Sequence, residues 1–232
     1  MRIPSAVRGC VFAGLSLCVG TYGCNDLGVN NPDQPTNFHL TVVTPETVLG
    51  KPGHEILHII SAKILLENIS FRVSGLEDST EITRGPLVVD LDLTAKTKEL
   101  LISQLPTNNY DRMRFSIHAP EDGEPLLDSA FVAGNDSSKR YSVVVVGLYH
   151  ETPFTFRSQE SFRIEINFTS PVTVPASGSV NVTLKIDPYA WFTEGQLFYD
   201  PFNQTGKIDG RIKNAQMEAF RDNDRNGEPD NQ

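Results

Sequence analysis

Apolar and polar residues alternate with a period of two in several separate stretches of the chain. The clearest are FHLTVV (38–43), LVVDLDL (87–93), RMRFSIH (112–118), SFRIEINF (161–168) and SVNVTLKI (179–186). Such alternation predicts strands with one face buried in the core and the other exposed to solvent, as in antiparallel sheets. Turn-forming segments separate them, for example PEDGEP (120–125) and SPVTVPASG (170–178). We therefore predict a mainly β protein, an antiparallel β-sandwich of prealbumin- or immunoglobulin-like type.

The pattern changes toward the C-terminus, where apolar residues recur at helical spacing. They predict a short amphipathic helix over 207–221 and are Ile208, Ile212, Ala215, Ala219 and Phe220. The acidic stretch DNDRNGEPD (222–230) follows this segment directly. The fold prediction is thus a sandwich followed by a short C-terminal helix and an acidic loop.

The first 24 residues have the composition of an export leader. Arg2 and Arg8 precede the apolar run GCVFAGLSLCVG, which is too short to span a bilayer, and TYGC follows it. TYGC resembles a bacterial lipobox, which predicts a lipidated Cys24 at the mature N-terminus. A plain cleaved signal peptide is the alternative. All three cysteines lie in this segment, so under either reading the mature domain has no disulfide.

These features divide the chain into four parts. Residues 1–23 are predicted to be a lipoprotein signal peptide, and the polar segment 24–37 a flexible tether. Residues 38–192 form the predicted sandwich, and 193–232 a C-terminal extension with the helix and the loop. The residue after Cys24 is Asn25 rather than the aspartate associated with inner-membrane retention. We therefore expect a membrane-anchored envelope protein, in the outer membrane or at the cell surface more than in the inner membrane.

The net negative charge of the chain restricts the classes of partner that it can bind. The formal net charge is −9, and removal of the leader, which carries two arginines and no acid, makes it more negative. A chain this acidic repels phosphate backbones, so we expect no nucleic-acid partner. The expected partners are the membrane, through lipidated Cys24, and an envelope protein or glycan that the sequence does not identify.

The stretch HEILH (54–58) matches the H-E-x-x-H zinc signature of metallopeptidases, and Glu77 has the spacing of a third ligand. The motif requires a helix, where His54 and His58 would be about 6 Å apart on one face. On a strand they would be roughly 13 Å apart and could not share an ion. The isoleucine-rich segment that follows favours a strand. A secreted zinc peptidase, with Glu55 as its base, is therefore the alternative to a non-enzymatic protein.

The C-terminal stretch DNDRNGEPD offers oxygen ligands at alternating positions, a pattern typical of Ca²⁺ loops. Gly227 permits a sharp turn. The predicted ligands are side-chain oxygens of four residues and the backbone carbonyl of Glu228; the four are Asp222, Asp224, Asn226 and Asp230. No bidentate glutamate follows, so we expect weak binding. The alternative is a solvated acidic tail.

Two aromatic positions have competing interpretations. Tyr110 could be the tyrosine that packs at a strand entry in many sandwiches, or an ordinary core residue. Tyr189 and Trp191 in PYAWF could form a platform for stacking on sugars, although such clusters are more often core.

Several segments together resemble a group of uncharacterised bacterial envelope lipoproteins; they include SAKILLENISF, GPLVVDLDL, YDRMRFSIHAPED, RYSVVVVG and VNVTLKIDP. The resemblance spans about residues 55–230 and implies a prealbumin-like β-sandwich of unknown function. The acidic loop is similar to a thrombospondin type 3 calcium unit. Neither resemblance implies catalytic residues. The sequence therefore favours a lipid-anchored envelope protein with a non-catalytic binding or structural sandwich.

Overall fold

The computed structural model describes residues 36–45, 56–76, 79–82, 86–121, 123–124, 127–133, 136–215 and 217–230. The predicted signal peptide, Cys24 and nearly all of the predicted tether lie outside these residues. In the described part, no helix is both long and apolar enough to cross a membrane.

Strands dominate the described residues. In chain order they are β1 (Asn37–Val43), β2 (Leu57–Val73), β3 (Ser79–Ile82), β4 (Leu87–Leu91), β5 (Lys98–Gln104), β6 (Asn108–Ile117), β7 (Val132–Ala133), β8 (Asp136–Arg140), β9 (Val143–Tyr149), β10 (Thr152–Ser158), β11 (Phe162–Val174), β12 (Ser179–Lys185), β13 (Thr193–Glu194), β14 (Leu197–Phe198) and β15 (Glu218–Arg221). One α-helix, α1 (Thr205–Lys213), and two short 3₁₀ turns, Ser129–Phe131 and Pro188–Phe192, complete the described elements.

The strands form two main sheets. The smaller sheet has the order β15-β12-β1-β5, and the larger has the order β10-β9-β2-β6-β11, with β3 and β4 also paired to β2. Strand pairs are antiparallel apart from β1 and β12, which run parallel with Leu40 opposite Val182. The predicted antiparallel β-sandwich is thus confirmed, with one parallel pair inside the smaller sheet.

A single large core joins the two sheets. Phe38 of β1 meets Phe71 of β2 edge-on, with 4.9 Å between the ring centroids, and both side chains are buried. Aromatic pairs of this geometry stabilise a core beyond the area that they bury. The alternation in the sequence therefore correctly identified the inward-facing residues, including Met113, Phe115 and Ile117 of β6.

Tyr110 packs at the entry of β6, which agrees with the first of the two interpretations that the sequence left open. Its side chain is buried, and its hydroxyl donates a hydrogen bond to the carbonyl of Pro106, 3.0 Å away and four residues upstream. This is the tyrosine arrangement that fixes strand entry in many β-sandwiches.

The helix prediction was too long. The helix ends at Lys213, whereas Ala219 and Phe220 lie on β15 and pair with Leu184 and Thr183 of β12. The apolar spacing continued past the true helix end because both segments bury apolar residues in one core. As a result, the C-terminal extension returns a strand to the smaller sheet, and the acidic loop begins at the end of that strand.

Candidate metal centre

The acidic loop (residues 222–230) is tied at both ends to the smaller sheet. Its first backbone N–H, of Asp222, donates to the carbonyl of Asn181 on β12, 3.0 Å away. Its last, of Asp230, donates to the carbonyl of Arg221 on β15, 2.9 Å away. The loop therefore folds back on the strand from which it starts, which brings its two terminal aspartates together.

Asp222 organises the loop from inside the protein, where its side chain is fully buried. One carboxylate oxygen, Oδ1, accepts a bond from the backbone N–H of Asn226 at 3.0 Å. The other, Oδ2, accepts from the Thr183 hydroxyl at 2.6 Å and from the Gly227 N–H at 3.0 Å. A carboxylate can accept about four bonds. Asp222 therefore retains acceptor capacity on Oδ1.

Asp224 and Asp230 complete a group of three carboxylates. One oxygen from each of Asp222, Asp224 and Asp230 lies within 4.8 Å of the other two. Asp224 accepts bonds from the backbone and side-chain amides of Asn226, at 3.2 and 2.9 Å. Asp230 accepts from the backbone N–H of Asn223 at 3.1 Å and from Nε of Arg221 at 3.1 Å. These donors partly compensate the mutual repulsion of the carboxylates.

Asn226 and Glu228, the other two residues predicted to supply ligands, lie in the turn of the loop. The side-chain oxygen of Asn226 accepts a bond from the N–H of Glu228 at 2.7 Å, so it closes the turn. The Glu228 carboxylate is exposed and lies 3.9 Å from Nζ of Lys185, and its backbone carbonyl stays a predicted ligand. The structure therefore brings together the three predicted carboxylates and uses Asn226 to shape the loop.

The middle of the loop rests on the neighbouring strands. Gly227 has a positive φ of 83°, and a Cβ there would lie 3.2 Å from Cγ2 of Val43 at the end of β1. Only glycine combines this conformation with such close packing. The backbone carbonyl of Arg225 accepts a hydrogen bond from the Thr97 hydroxyl at 3.0 Å. The guanidinium of Arg225 lies 3.2 Å from the carboxylate of Glu99. The loop therefore contacts the strand segments on both sides of β1.

A buried polar layer beneath the loop was not predicted. The alternating pattern predicts that Asn181 and Thr183 lie on the solvent-exposed face of β12, yet both side chains are buried. Thr183 shares a 2.7 Å hydroxyl contact with Thr41, and the Asn181 side-chain amide donates to the Asp222 carbonyl at 2.7 Å. The side-chain oxygen of Asn181 has no hydrogen-bond partner among the described residues. Polar residues at alternating positions normally indicate exposure, so only the position of the loop reveals this layer.

A groove of about 570 Å³ lies beside the loop. Its walls combine the β11 segment around Pro171 with β15 and the end of the loop; they include Thr169, Thr173, Phe220, Arg221 and Asp230. The groove therefore offers hydroxyl, guanidinium and carboxylate groups next to the three-carboxylate cluster.

The zinc signature does not form a helix at its C-terminal end. Leu57 and His58 are the first residues of β2, which confirms the strand prediction for that part of the motif. His54, Glu55 and Glu77 lie outside the described residues. The helix that the metallopeptidase motif needs would have to include His58, and the observed strand is incompatible with it.

The aromatic cluster PYAWF belongs to the core. Trp191 is fully buried and Tyr189 is 7% exposed, both within a 3₁₀ turn whose N-terminus is capped by the side chain of Asp187. Neither ring offers a face on which a sugar could stack. The core interpretation is therefore correct, and the sugar platform was wrong.

Comparison with known proteins does not assign the chain to a family. No protein-family model matches the chain, and no curated protein sequence does. Among solved structures the chain is similar to MbnP from Methylosinus trichosporium, at 12% sequence identity and a TM-score of 0.44. The match covers 72% of this chain and 80% of that protein. We draw no functional conclusion from so distant a likeness.

Proposed function

We propose that the protein is a non-catalytic, lipid-anchored component of the bacterial cell envelope whose acidic loop binds one Ca²⁺. The observation that carries the proposal is the meeting of the Asp222, Asp224 and Asp230 oxygens within 4.8 Å. Ca²⁺ binds oxygens at about 2.3–2.6 Å, so two ligands on opposite sides of the ion are about 4.8 Å apart. An ion among the three carboxylates therefore requires only small movements.

The affinity should be low, for reasons visible in the loop. Ca²⁺ prefers six to eight oxygens, and the three carboxylates supply only part of that number. Arg221 competes with the ion for Asp230, since its Nε lies 3.1 Å from Oδ2. We therefore expect a dissociation constant of roughly 10⁻⁴–10⁻³ M, typical of extracellular modules. Such a site fills in a medium that contains millimolar calcium.

Calcium in this loop would act as a clamp on the C-terminal strand. Asp222 directly follows β15, whose four residues pair with β12, and the backbone N–H of Asp230 returns to the end of that strand by donating to the Arg221 carbonyl. An ion bound to both aspartates would cross-link the two ends of the loop and hold β15 in the smaller sheet. The ion would thereby make β15 and the end of the loop, which line the groove, more rigid. An envelope protein or glycan could bind in that groove.

Calorimetric titration of the purified protein with CaCl₂ tests the site. The wild type should show one binding event, and Asp224→Asn combined with Asp230→Asn should abolish it without removing buried Asp222. Glu218→Gln is the matched control, because Glu218 is an exposed carboxylate on β15 outside the cluster. Absence of heat at millimolar Ca²⁺, or equal binding by the double variant, would remove the calcium proposal.

Membrane anchoring through Cys24 needs a separate test. The wild type should partition into the detergent phase and incorporate labelled fatty acid, whereas Cys24→Ala should be released as soluble protein. Cys18→Ala is the control, because Cys18 lies inside the apolar run of the leader. Detergent partitioning that is unchanged in Cys24→Ala would remove the lipid anchor from the proposal, and a wild type found in the aqueous phase would indicate an ordinary cleaved signal peptide.

A further inference from the structure

A second group of potential metal ligands lies on the larger sheet, away from the acidic loop. Glu67 lies on β2, His118 directly follows β6, and Glu124 lies in the turn after it. Glu67 is opposite Ser116 in the register of the two strands. Alternation along β6 places Ser116 and His118 on the face away from the core, so the Glu67 and His118 side chains are diagonal neighbours on that face.

The imidazole of His118 faces two carboxylates without a hydrogen bond to either. Its Nε2 lies 3.8 Å from Oε1 of Glu67 and 3.7 Å from Oε2 of Glu124. Both distances exceed those of hydrogen bonds. This nitrogen is inaccessible to solvent and has no hydrogen-bond partner among the described residues, although 17% of the side chain is exposed. A buried polar atom in this position requires a partner.

The spacing of the three atoms matches a shared ion better than direct contacts. A transition-metal ion binds imidazole nitrogen and carboxylate oxygen at about 2.0–2.2 Å, so adjacent ligands in a tetrahedral site are roughly 3.4 Å apart. The observed separations exceed this value by only a few tenths of an ångström. All three ligand atoms also lie within 4.8 Å of one another.

We infer that Glu67, His118 and Glu124 bind a divalent ion of the Zn²⁺ type, with a fourth position open to water or a ligand. Imidazole with carboxylates suits Zn²⁺ and related first-row ions, whereas Ca²⁺ prefers oxygen ligands alone. The ion would supply the missing partner of Nε2 and neutralise the two glutamates. It would also fix the turn that carries Glu124, whose Oε2 accepts a 2.7 Å bond from the backbone of Glu121.

The competing explanation is a cluster without a metal, in which the three side chains only lie near one another. The two explanations differ in their response to zinc, because a metal-free cluster gives no metal stoichiometry and no metal-dependent stabilisation.

Calorimetric titration of the purified full chain with ZnCl₂ distinguishes them, with millimolar Ca²⁺ present to occupy the acidic loop. We expect one Zn²⁺ per chain at micromolar concentration and a rise of several degrees in melting temperature. Affinity should fall at least tenfold in His118→Gln and in Glu124→Gln. His39→Gln is the matched control, because Nδ1 of His39 already has a 3.0 Å contact with Glu99.

Two results would overturn the inference. One is the absence of stoichiometric zinc binding by the wild type, which would mean that the three side chains meet without a metal. The other is zinc binding that persists unchanged in His118→Gln and Glu124→Gln. Circular dichroism of both variants without metal checks that they are folded, so that a loss of binding reports on the ligands themselves.

Discussion

Replacement of Asp222 by alanine should destabilise the protein more than any other change in the acidic loop. The buried carboxylate accepts three hydrogen bonds, from Thr183, Asn226 and Gly227. Bonds to a charged group contribute about 1.5–3 kcal/mol each. The sum is an upper bound, because the two loop amides regain water when the loop loosens and Thr183 can turn to Thr41, 2.7 Å away. We therefore expect a loss of about 2–4 kcal/mol.

Thermal and denaturant unfolding in calcium-free buffer measure this loss. For a domain of this size, each kcal/mol lowers the melting temperature by about 2–4 °C, so a loss of about 2–4 kcal/mol means that Asp222→Ala should melt roughly 4–16 °C below the wild type. Asp224→Ala is the control, since among the described residues its exposed carboxylate has hydrogen bonds from Asn226 alone, and its loss should cost less than about 0.5 kcal/mol. A loss below about 1 kcal/mol in Asp222→Ala, or equal losses in both variants, would refute the role given to the buried carboxylate.

Three other changes test separate parts of the structure. Gly147→Ala should destabilise by at least about 1–3 kcal/mol, because a Cβ there would overlap the backbone carbonyl of His58 and would lie 2.8 Å from Cε1 of Phe154. Gly210→Ala, in open space on α1, should be neutral or stabilising in the same melting assay. Burial raises the pKa of Asp209 above its ordinary 3.8, so the protonated side chain contributes stability that is present below that pH and is lost as pH rises through the folded pKa. Asp209→Asn should therefore melt at a higher temperature than the wild type at pH 7 and show no advantage near pH 3.5. An equal gain at both pH values would contradict this. Tyr110→Phe should lose about 1 kcal/mol in urea unfolding, and no loss would remove the strand-entry role of the hydroxyl.

The strands could be predicted because their burial alternates with the residue period of a pleated strand. β1, β4 and β12 begin and end close to their predicted limits, whereas β6 begins four residues before its predicted start. β11 continues to Val174, into a segment that SPVTVPASG indicated as a turn. The strand can include Pro171 because the pairing with β6 is irregular between Asn167 and Val172. Proline has no backbone N–H to donate to a neighbouring strand, and it is tolerated where such an irregularity interrupts the ladder of hydrogen bonds. Sequence patterns do not encode such an irregularity.

The residues of the candidate sites were harder to predict from the sequence than the strands. Asp222, Asp224 and Asp230 lie within nine residues, so their spacing alone indicated a cation loop. Glu67 and His118 come together only through the pairing of β2 with β6, and neither lies in a local motif. Asn181 was assigned to the wet face of β12 because the loop that covers it comes some 40 residues later.

The central claim is that the acidic loop binds Ca²⁺, and a crystal structure of the protein grown at millimolar CaCl₂ tests it most directly. The account predicts one density peak, with an anomalous signal, at about 2.3–2.6 Å from oxygens of Asp222, Asp224 and Asp230. It also predicts that Arg221 moves away from Asp230, because the ion replaces its charge. A loop that contains only water at saturating calcium, with the Arg221–Asp230 pair intact, would contradict the claim.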